Sequence, residues 1–528
     1  MTTPPLPGWT ALARHIAGAR ARLAAQAADP RATQQALLAQ ILSRHAGSAF
    51  GQRHGFARLR TLGDYQQAVP RATYDDFAPE IEAMARGEPA RLVSEPVLAF
   101  ERTGGSTGGP KLIPLTASGL AAQREGLFAW LDDLLQRHPR LMHGHSYWSI
   151  SPATRAPEAT AGGMRIGLSS DAEYLGDAAP HLAAVLSVPP EVGGIGDVES
   201  WRRATLAHLL ADERLALVSV WSPTFWQELC RHAMLLKDEL LALDGHTAEA
   251  NFFQSLSPAR RARLHAALSQ TPPDWRAVWP QLALISCWTH ASSAPWAAQL
   301  AAEFPHATLQ GKGLLATEGL VSVPIDDDGD PVAAIGSTVL EFEDDAGLVF
   351  ACDEVAEGAE YQVLLTTHAG LYRYRLGDRV RVTGFWHRAP RLHLLGRGHA
   401  ASDLCGEKLT EAFVLQALTS AGLLTNGQTL HLVPRTQPAP HYALLIGGPC
   451  SADQAARIAA RADTALRANP QYAYARDLGQ LGQIVALRTP DLREQLQNLS
   501  LAEGQRLGDA KPGVLGRTDE MTAPRRLG

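Results

Sequence analysis

The sequence has few cysteines, no long apolar run and no excess of positive charge. Its five cysteines are scattered over 528 residues without a C-x-x-C pair, so we expect neither a disulfide framework nor a cysteine zinc site. No run of about 18 apolar residues occurs, so no membrane span is expected. The formal net charge of −6 argues against a general nucleic-acid binder, because such proteins usually carry a basic stripe.

The amino-terminal stretch lacks the basic start and apolar core of a signal peptide, so we expect a cytoplasmic protein. Apolar residues make up 45% of the chain and charged residues 19%, which is typical of a globular protein with a large core. At roughly 100–200 residues per domain, the length predicts two to four domains, or one large domain with a small satellite. The heavy use of Ala, Leu and Arg suggests a bacterial source.

A glycine-rich loop, RTGGSTGGPKLIPLT (residues 102–116), is the first sign of chemistry. From Thr103 to Lys111 it holds four glycines and three hydroxyl residues. The apolar stretch 96–100 predicts a strand before it, and 117–139 predicts a long helix after it. Glycines let successive N–H groups point at one anion, and hydroxyls add donors, so the loop can bind phosphate. The alternative is a glycine-rich turn without a ligand.

The loop does not match the usual nucleotide-binding motifs. Gly104 and Gly109 have the spacing of a Walker loop, but Pro110 precedes Lys111, and Leu112 stands where a magnesium-binding Ser or Thr should be. The dinucleotide fingerprint also fails, because the loop is not set between a strand and an immediate helix. A phosphate bound here would therefore be held in another way.

The pattern of the chain predicts an α/β protein with several parts. Apolar strand-like runs alternate with amphipathic helices over about 146–350, which favours mostly parallel strands. From 332 onward the pattern turns to β-hairpins, and the end of the chain is typical of a small α+β unit. We therefore expect mixed and parallel sheets with flanking helices and a β-hairpin-rich subdomain in a large domain. The expected boundaries are 1–398 for the large N-terminal domain, 399–406 for a hinge and 407–528 for the small C-terminal domain.

Three further motifs follow the glycine loop in a fixed order. They are KGLLATEGLVSVP (residues 312–324), YRYRLGDRV (372–380) and LGRGHAASDLCGEKLTE (395–411). With the loop, this order resembles the superfamily of adenylate-forming ligases, which includes acyl-CoA synthetases, firefly luciferase and nonribosomal peptide adenylation domains. The Tyr-Arg-x-Gly-Asp signature in that order is fairly specific, whereas a glycine loop alone would not be.

Within that superfamily the chain is most similar to the auxin-responsive Gretchen Hagen family of acyl acid–amido synthetases. The similarity runs from near residue 40 to the C-terminus. The stretches that carry it are HAGSAFGQRHGF (45–56), VPRATYDDFAPEIEAMARGE (69–88), LYRYRLGDRVRVTGF (371–385), CGEKLTE (405–411) and PQYAYARDLGQL (470–481).

The resemblance implies a two-step ligase that joins carbon to nitrogen. In the first step a carboxylate attacks the α-phosphate of ATP, pyrophosphate leaves and an acyl-adenylate forms. In the second step an amine, usually of an amino acid, attacks the activated carbonyl and AMP leaves. The implied cofactors are ATP and Mg²⁺, and the implied partners are a small carboxylic acid and an amine. We expect a monomer that binds no nucleic acid.

The resemblance also implies roles in phosphate and metal binding. Thr317 and Glu318 match the family's Ser/Thr-Glu pair, in which the hydroxyl contacts the α-phosphate and the glutamate helps to hold Mg²⁺. The alternative for Glu318 is an exposed glutamate in a turn. Leu314 occupies the position of an aromatic residue that usually stacks on adenine, so the stacking contribution is lost here. The residues that match the phosphate loop are Thr103, Gly105, Ser106, Thr107 and Lys111, and Lys111 could instead only brace that loop.

Further residues match the parts of the family that bind the nucleoside and change position. Asp378 matches the carboxylate that accepts hydrogen bonds from both ribose hydroxyls, the alternative being a turn aspartate in a hairpin. Arg397 matches an arginine that reaches the ribose, and Lys408 a lysine near the α-phosphate. Lys511 matches a C-terminal lysine that enters the site only during adenylation, the alternative being a solvated lysine. Tyr372, Arg373, Tyr374 and Arg375 alternate as in a half-buried strand, so we expect them to be structural.

The resemblance leaves the second half-reaction open. A small C-terminal lid domain that swings about the hinge could present a different face to each second substrate and exclude water from the acyl-adenylate. An acyl-CoA ligase would share the first step and differ only in its acceptor. A nucleotide-binding scaffold without catalysis is the rival of another class, although it has no chemical need for Lys111, Glu318, Asp378 and Lys408 together. The tryptophans at 275, 279, 288 and 296 are expected in the core or in the walls of the acyl pocket.

Overall fold

The structure is a computed structural model, and the chain divides into two compact units. The first unit comprises Met1–Trp288, Leu300–Leu376 and Val380–His393, and the second comprises Thr289–Gln299, Gly377–Arg379 and Leu394–Gly528. The structure describes residues 4–103, 111–148, 158–168, 171–242, 256–397, 401–402, 404, 407, 409–424, 428–477, 481–502 and 513–516.

The first unit begins with six helices. The sequence pattern of residues 9–47 predicts two helices, but three form, because Gly18 at a φ of 80° ends the first and Pro30 opens the third. Asp29 caps that third helix by accepting from the N–H of Ala32, and capping boxes begin the fifth and sixth helices. The helices are α1 (Pro7–Ile16), α2 (Ala19–Ala28), α3 (Pro30–His45), α4 (Ala49–Arg53), α5 (Leu62–Ala68) and α6 (Tyr74–Ala85).

The glycine loop joins the two strands of an antiparallel hairpin, β1 (Val97–Thr103) and β2 (Lys111–Thr116). Helix α7 (Ala117–Arg137) follows at once, and the Thr116 hydroxyl caps it by accepting from the N–H of Gly119 at 3.1 Å. The predicted order of strand, loop, short strand and helix is confirmed. A Walker loop leads directly into a helix, so this hairpin agrees with the exclusion of that motif.

A four-stranded parallel sheet forms the centre of the α/β part, as the alternating pattern predicts. Its order is β3-β6-β7-β8, with helices in the connections between its strands. The strands, with the short β4 and β5 that extend the hairpin sheet, are β3 (His145–Trp148), β4 (Glu158–Ala159), β5 (Arg165–Ile166), β6 (Leu215–Ser219), β7 (Leu284–Cys287) and β8 (Thr308–Gly311). The helices are α8 (Ala179–Ala183), α9 (Val198–Ala211), α10 (Pro223–Leu235), α11 (Lys237–Ala242), α12 (Pro258–Leu268), α13 (Trp275–Val278) and α14 (Ala294–Glu303).

The hairpin-rich part forms a seven-stranded sheet of order β11-β12-β17-β16-β15-β13-β14. A separate two-stranded hairpin of β9 and β10 precedes it. The strands are β9 (Leu315–Ala316), β10 (Gly319–Leu320), β11 (Ser322–Val323), β12 (Val332–Ala333), β13 (Val339–Glu343), β14 (Val349–Ala351), β15 (Glu360–Thr366), β16 (Tyr374–Trp386) and β17 (Ala389–Arg397).

The second unit is α+β. Its three-stranded sheet has the order β20-β21-β22, with one antiparallel and one parallel pair. Leu418, Tyr442 and Leu466 are among the fully buried side chains between this sheet and its helices. The elements are β18 (Ala401–Ser402), β19 (Leu409–Thr410), α15 (Glu411–Ser420), β20 (Thr429–Arg435), β21 (His441–Gly447), α16 (Ala452–Leu466), α17 (Pro470–Asp477), β22 (Val485–Arg488) and α18 (Leu492–Ala502). Among the described residues of the chain, no helix is long and apolar enough to cross a membrane.

Candidate active site

The far end of the glycine loop is braced by the first turn of α6. The Tyr74 hydroxyl accepts a hydrogen bond from the N–H of Leu112 at 2.9 Å, which fixes the start of β2. The Lys111 ammonium lies 5.3 Å from the centre of the Tyr74 ring, a cation–π distance. Burial raises the pKa of Tyr74, so its hydroxyl stays neutral. Among the described residues, Lys111 at the exit of the loop thus contacts an aromatic ring and forms no ion pair with a carboxylate.

Thr317 and Glu318 form the two-residue turn between β9 and β10. The strands pair as Gly319 with Ala316 and Leu320 with Leu315, which leaves the Thr-Glu pair at the tip. Glu318 is only 6% exposed, and the Tyr374 hydroxyl donates to its Oε1 at 3.4 Å. The expected alternative of an exposed turn glutamate is therefore wrong. A buried carboxylate is costly unless something pairs with it, which makes this turn a functional candidate.

A small enclosed cavity lies beside this turn, at the amino end of α7. Its volume is about 10 Å³, near the least that one water molecule needs. Hydroxyl groups and the amino end of a helix make the cavity favourable for oxygen-bearing ligands. The polar residues that line it include Thr116, Gln123, Thr317, Glu318, Ser337, Thr338, Thr367 and His368.

Two buried histidines support the cavity wall. A ring nitrogen of His45, Nε2, lies 3.0 Å from the His368 carbonyl oxygen, and its Nδ1 accepts from the N–H of Ser94 at 3.1 Å. His45 therefore donates through Nε2. Burial lowers the pKa of His45 and lowers that of His368 to about 4. Both rings are therefore neutral near pH 7.

Leu314 immediately precedes the β9–β10 hairpin. Its carbonyl oxygen accepts from the N–H of Val321 at 2.9 Å, and its own N–H donates to the Ser322 hydroxyl at 2.9 Å. Gly313 must be glycine, because a Cβ there would come within 1.9 Å of the Ser322 carbonyl oxygen. The Leu314 side chain is partly buried, and its backbone is firmly held.

The Tyr-Arg repeat has the ion pairs of a structural segment, as predicted, but the strand begins only at Tyr374. Tyr374 contacts Glu318, as described above, so it belongs to the candidate site and was missed. Arg373 is not a half-buried strand residue. It is 5% exposed, has a φ of 49° and donates from Nε and Nη2 to Glu341 at 3.0 and 2.9 Å. This paired geometry holds the chain in a left-handed conformation, which no period-2 pattern describes. Arg375 pairs with Glu343 at 2.8 Å.

Asp378 lies inside β16, directly after Gly377, which has a φ of 86°. Asp378 is 6% exposed and lies within a strand, so the expected alternative of a turn aspartate in a hairpin is wrong. A positive φ of this kind favours glycine, and it reorients the strand just before the carboxylate. Asp378 is thus a buried carboxylate in a strand, and the residue before it has a left-handed backbone conformation.

In the second unit, a buried glutamate organises the segment around residue 408. Glu407 is fully buried, and its Oε1 accepts from the Tyr442 hydroxyl at 2.5 Å and from the N–H of Leu404 at 2.8 Å. The side chain of Asn469 donates to the Glu407 carbonyl oxygen at 3.1 Å. Strand β21 and two segments outside the helices and strands therefore hold the residue that precedes Lys408.

Residues 513–516, which follow Lys511 in the chain, are anchored on β20. Leu515 forms a parallel bridge with Leu432, and the N–H of Val514 donates to Glu411 Oε1 at 3.1 Å. Gly105, Ser106, Thr107, Lys408 and Lys511 lie outside the described residues. Thr103 and Arg397 end β1 and β17, and the description of these two does not extend to their side chains.

Two solved structures share the fold of this chain. A 2-hydroxyisobutyryl-CoA ligase in the postadenylation state has the same fold, with a TM-score of 0.52 at 13% identity, and the match covers 87% of this chain and 85% of that one. The acyl acid amido synthetase AtGH3.15 is far more similar, with a TM-score of 0.83 at 20% identity over 95% of this chain and 94% of that one. The fold is therefore that of the adenylate-forming ligases.

The chain belongs to the GH3 family. The GH3 family N-terminal domain matches residues 19–309, and the GH3 family central domain matches residues 337–397. The indole-3-acetic acid-amido synthetase GH3.15 of Arabidopsis thaliana is 26% identical over 444 residues, which cover 76% of this chain and 74% of that protein. The probable indole-3-acetic acid-amido synthetase GH3.4 of Oryza sativa subsp. japonica is 25% identical over 440 residues, covering 74% of this chain and 68% of that protein. The family expected from the motifs is confirmed.

The expected bacterial source is not confirmed, and these relatives contradict it, because they are plant enzymes. The expectation was drawn from the heavy use of Ala, Leu and Arg. Those three residues are also strong helix formers, and the chain has many helices. Their abundance therefore does not identify the source of the chain.

Proposed function

We infer that the protein is an ATP-dependent acyl acid–amido synthetase. It adenylates a carboxylic acid with release of pyrophosphate, then transfers the acyl group to an amine with release of AMP. The observation that carries this inference is the buried Glu318 at the tip of the β9–β10 turn, beside the amino end of α7 in a chain of the GH3 family. We propose an amino acid as the source of the amine.

The glycine loop is proposed to hold the β- and γ-phosphates of ATP and to let pyrophosphate leave. Thr103, Gly105, Ser106 and Thr107 would supply N–H and hydroxyl donors, and Lys111 a positive charge. The Tyr74 contact supports this role for Lys111, because a ring stabilises the ammonium without neutralising it as a carboxylate would. Donors placed where phosphoryl charge develops favour the first half-reaction.

The β9–β10 turn is proposed to serve the α-phosphate and a magnesium ion. The residues fit Mg²⁺, which takes oxygen ligands: a buried carboxylate and several hydroxyls surround one small cavity. Glu318 would hold the ion, which supplies positive charge against the phosphates. The Thr317 hydroxyl would donate to the α-phosphate, while Tyr374 orients the Glu318 carboxylate through its hydrogen bond.

Leu314, Asp378 and Arg397 are proposed to bind the nucleoside. The rigid backbone of Leu314 would offer an apolar surface to adenine without the stacking that an aromatic residue provides. Asp378 would accept hydrogen bonds from both ribose hydroxyls, with Arg397 as a second ribose contact. The position of Asp378 in β16, directly after the left-handed Gly377, supports this role, because it places a carboxylate on a fixed backbone.

We propose that residues 407–528 act as a lid on the large domain 1–398, with 399–406 as the hinge. Lys408 would contact the α-phosphate, and Lys511 would enter only for adenylation. Glu407 and the docking of residues 513–516 support these roles, because they give each lysine a fixed neighbour in the chain. We further propose a monomer in the cytoplasm. The four cysteines that the structure describes are free, as expected in a reducing compartment.

Acid-dependent exchange of labelled pyrophosphate into ATP tests this proposal. With Mg²⁺ and a panel of aliphatic, aromatic and indolic acids, at least one acid should support exchange in the wild-type protein. Asp378→Ala should weaken ATP binding severely, while Asp345→Ala, on an exposed turn, serves as the matched control. Absence of exchange across the whole panel would favour a non-catalytic scaffold instead.

A further inference from the structure

The carboxyl edge of the parallel sheet carries a row of side chains that the motifs do not include. Trp148 pairs with Ser219, Ser219 with Ser286, and Ser286 with Gln310, each on a neighbouring strand. Paired residues on adjacent strands project from the same face of a sheet. Four residues from four distant parts of the chain therefore share one face, at the edge where α/β proteins usually bind ligands.

Lys312, two residues beyond Gln310, reaches into this row. Its ammonium donates to the Ser219 hydroxyl at 2.8 Å. The same ammonium lies 4.8 Å from the ring centre of Trp130 and 5.0 Å from that of Trp221. Two indole rings and one hydroxyl therefore surround the charge. We name the group of Trp130, Trp148, Ser219, Trp221, Ser286, Gln310 and Lys312 the lysine cage.

The cation in the cage is not neutralised by a carboxylate. Within the described part of the chain, no Asp or Glu oxygen forms an ion pair with Lys312, and Cys287 is the titratable neighbour that acts on it. Burial lowers the pKa of Lys312 to about 8 and raises that of the Cys287 thiol to about 12. Near pH 7 the cage thus holds a buried positive charge beside a neutral thiol, an arrangement that costs stability unless an anion completes it.

The cage also holds polar atoms that lack partners. Ser286 and Gln310 are 0% and 5% exposed, and among the described residues the Ser286 hydroxyl and the Gln310 Nε2 have no hydrogen-bond partner. The indole N–H of Trp148 is also buried and finds no partner in that part of the chain. Trp130 donates to the Gln310 Oε1 at 2.9 Å, which leaves the amide's N–H₂ free to donate elsewhere. Buried donors of this kind normally have a partner, so several donors here await an acceptor.

Helix α7 relates the cage to the candidate active site. Gln123 of α7 lines the cavity beside Glu318, and Trp130 of the same helix belongs to the cage. Seven residues separate them, which at 1.5 Å per residue is about 10 Å along the helix. An elongated carboxylic acid is of similar length. An acid with its reacting carboxylate near the Thr317–Glu318 turn could therefore reach the cage with its far end.

We propose that the lysine cage binds the far end of the acyl acid and selects acids that carry a second anionic group there. This inference rests on the proposed function and names its class of substrate: elongated dicarboxylic acids, or acids with an equivalent terminal anion. The Lys312 ammonium pairs with that anion, and the free donors of Ser286, Gln310 and Trp148 complete its hydrogen bonds. The first carboxylate remains the one that attacks ATP.

Matched acids and one variant test the proposal. Pyrophosphate exchange is measured for nonanedioate against nonanoate and for 4-carboxycinnamate against cinnamate, in the wild type and in Lys312→Met. In the wild type, kcat/KM should be roughly 10- to 100-fold higher for each dicarboxylate, the worth of a charge-assisted hydrogen bond. Lys312→Met should lose that preference, because its kcat/KM for each dicarboxylate should fall to that for the matched monocarboxylate. A thermal melt checks that the variant is folded.

A second measurement needs no variant. Because Lys312 must be protonated to bind an anion, the wild-type preference for dicarboxylates should fall as the pH rises from 7 to 9.5, through its pKa of about 8. The proposal for the lysine cage is overturned if the wild type shows no preference for dicarboxylates, or if that preference is unaltered in Lys312→Met and across this pH range. Pyrophosphate exchange with any acid would in that case still support the proposed amido synthetase. Loss of exchange with every acid in the wild type overturns both.

Discussion

Aromatic side chains lie on both faces of the parallel sheet, but their surroundings differ between the two faces. Tyr147 and Trp148 are neighbours in β3, so their rings project to opposite faces. On one face the Tyr147 ring lies 5.7 Å from Trp226, which lies 5.1 Å from Trp279. On the other face the Trp148 ring lies 5.9 Å from Trp130, beside the Lys312 ammonium.

The first face is a packed core. Trp275 and Trp279 stack at 5.5 Å with an angle of 9° between their planes, and the Trp279 indole donates to the Leu209 carbonyl oxygen at 2.8 Å. The second face surrounds a charge, the Lys312 ammonium. Aromatic rings alone therefore do not distinguish a core from a site. The distinguishing feature is the cation among the rings, because an indole N–H that finds no partner among the described residues also occurs in the packed face, at Trp226.

The largest effect is expected on the packed face. Trp279→Ala removes a fully buried indole from a ring stack and should lower the free energy of unfolding by about 3–5 kcal/mol. Chemical denaturation monitored by circular dichroism measures this. The relative preference among acids should be unchanged in the molecules that stay folded. An altered preference would mean that the two faces are not functionally separate.

The next largest effect concerns the turn of β9 and β10. Glu318→Gln keeps the shape of the side chain but removes its charge, and should lower the rate of pyrophosphate exchange by about 100-fold, or 2.7 kcal/mol. Thermal melting should change little by comparison with Trp279→Ala. The control is Glu357→Gln on an exposed turn. Normal exchange in Glu318→Gln would remove this residue from the proposed magnesium site.

A substitution in the lysine cage is expected to stabilise the protein, whereas Trp279→Ala should destabilise it. Lys312→Met should raise the free energy of unfolding at pH 7 by about 2 kcal/mol, because it removes a buried ammonium. Burial lowers the pKa of Lys312 to about 8 from an ordinary value of 10.5, so the unfolded chain binds more protons between these two values. The free energy of unfolding of the wild type should rise as the pH increases from about 8 to 10.5, so its difference from that of Lys312→Met should disappear. If the difference in unfolding free energy between the two proteins stays constant with pH, the ammonium is not destabilising.

The smallest effect is expected from a wall of the cage. Trp221→Leu removes one of the two rings over the ammonium and should raise the KM for a dicarboxylic acid roughly 5- to 10-fold, which is the order of one cation–π contact. Its cost in unfolding free energy should be well below that of Trp279→Ala, because Trp221 is only partly buried. Steady-state kinetics with nonanedioate and nonanoate measure the difference. Equal changes in KM for both acids would indicate a purely steric wall.

Local patterns predicted much of the fold. Pro110 and Leu112 excluded a Walker loop, and the β1–β2 hairpin bears this out. The prediction for the tryptophans placed residues with different surroundings in one group. Trp275 and Trp279 lie in the core, while the Trp288 ring lies 5.7 Å from that of Trp221. Trp296, in the second unit, stacks with Arg493 at 4.7 Å. Spacing along the chain does not reveal which face of a sheet a ring occupies.

The parts that were missed depend on contacts between distant residues. Tyr74 and Tyr374 stand inside quoted motifs, so their position was available, but their partners Leu112 and Glu318 are set by folding. Lys312 begins the quoted motif 312–324, but the residues around it give no local signal, because strand register brings their row together. Arg373 was misjudged because a left-handed conformation interrupts the strand pattern.

The most direct test of the central claim is the identity of the product. The protein is incubated with ATP, Mg²⁺ and an acid that supports pyrophosphate exchange, together with mixed amino acids and coenzyme A, and the products are resolved by mass spectrometry. The proposed function predicts an acyl–amino acid amide formed in equal amount with AMP. A thioester of coenzyme A without any amide would contradict it and identify an acyl-CoA ligase.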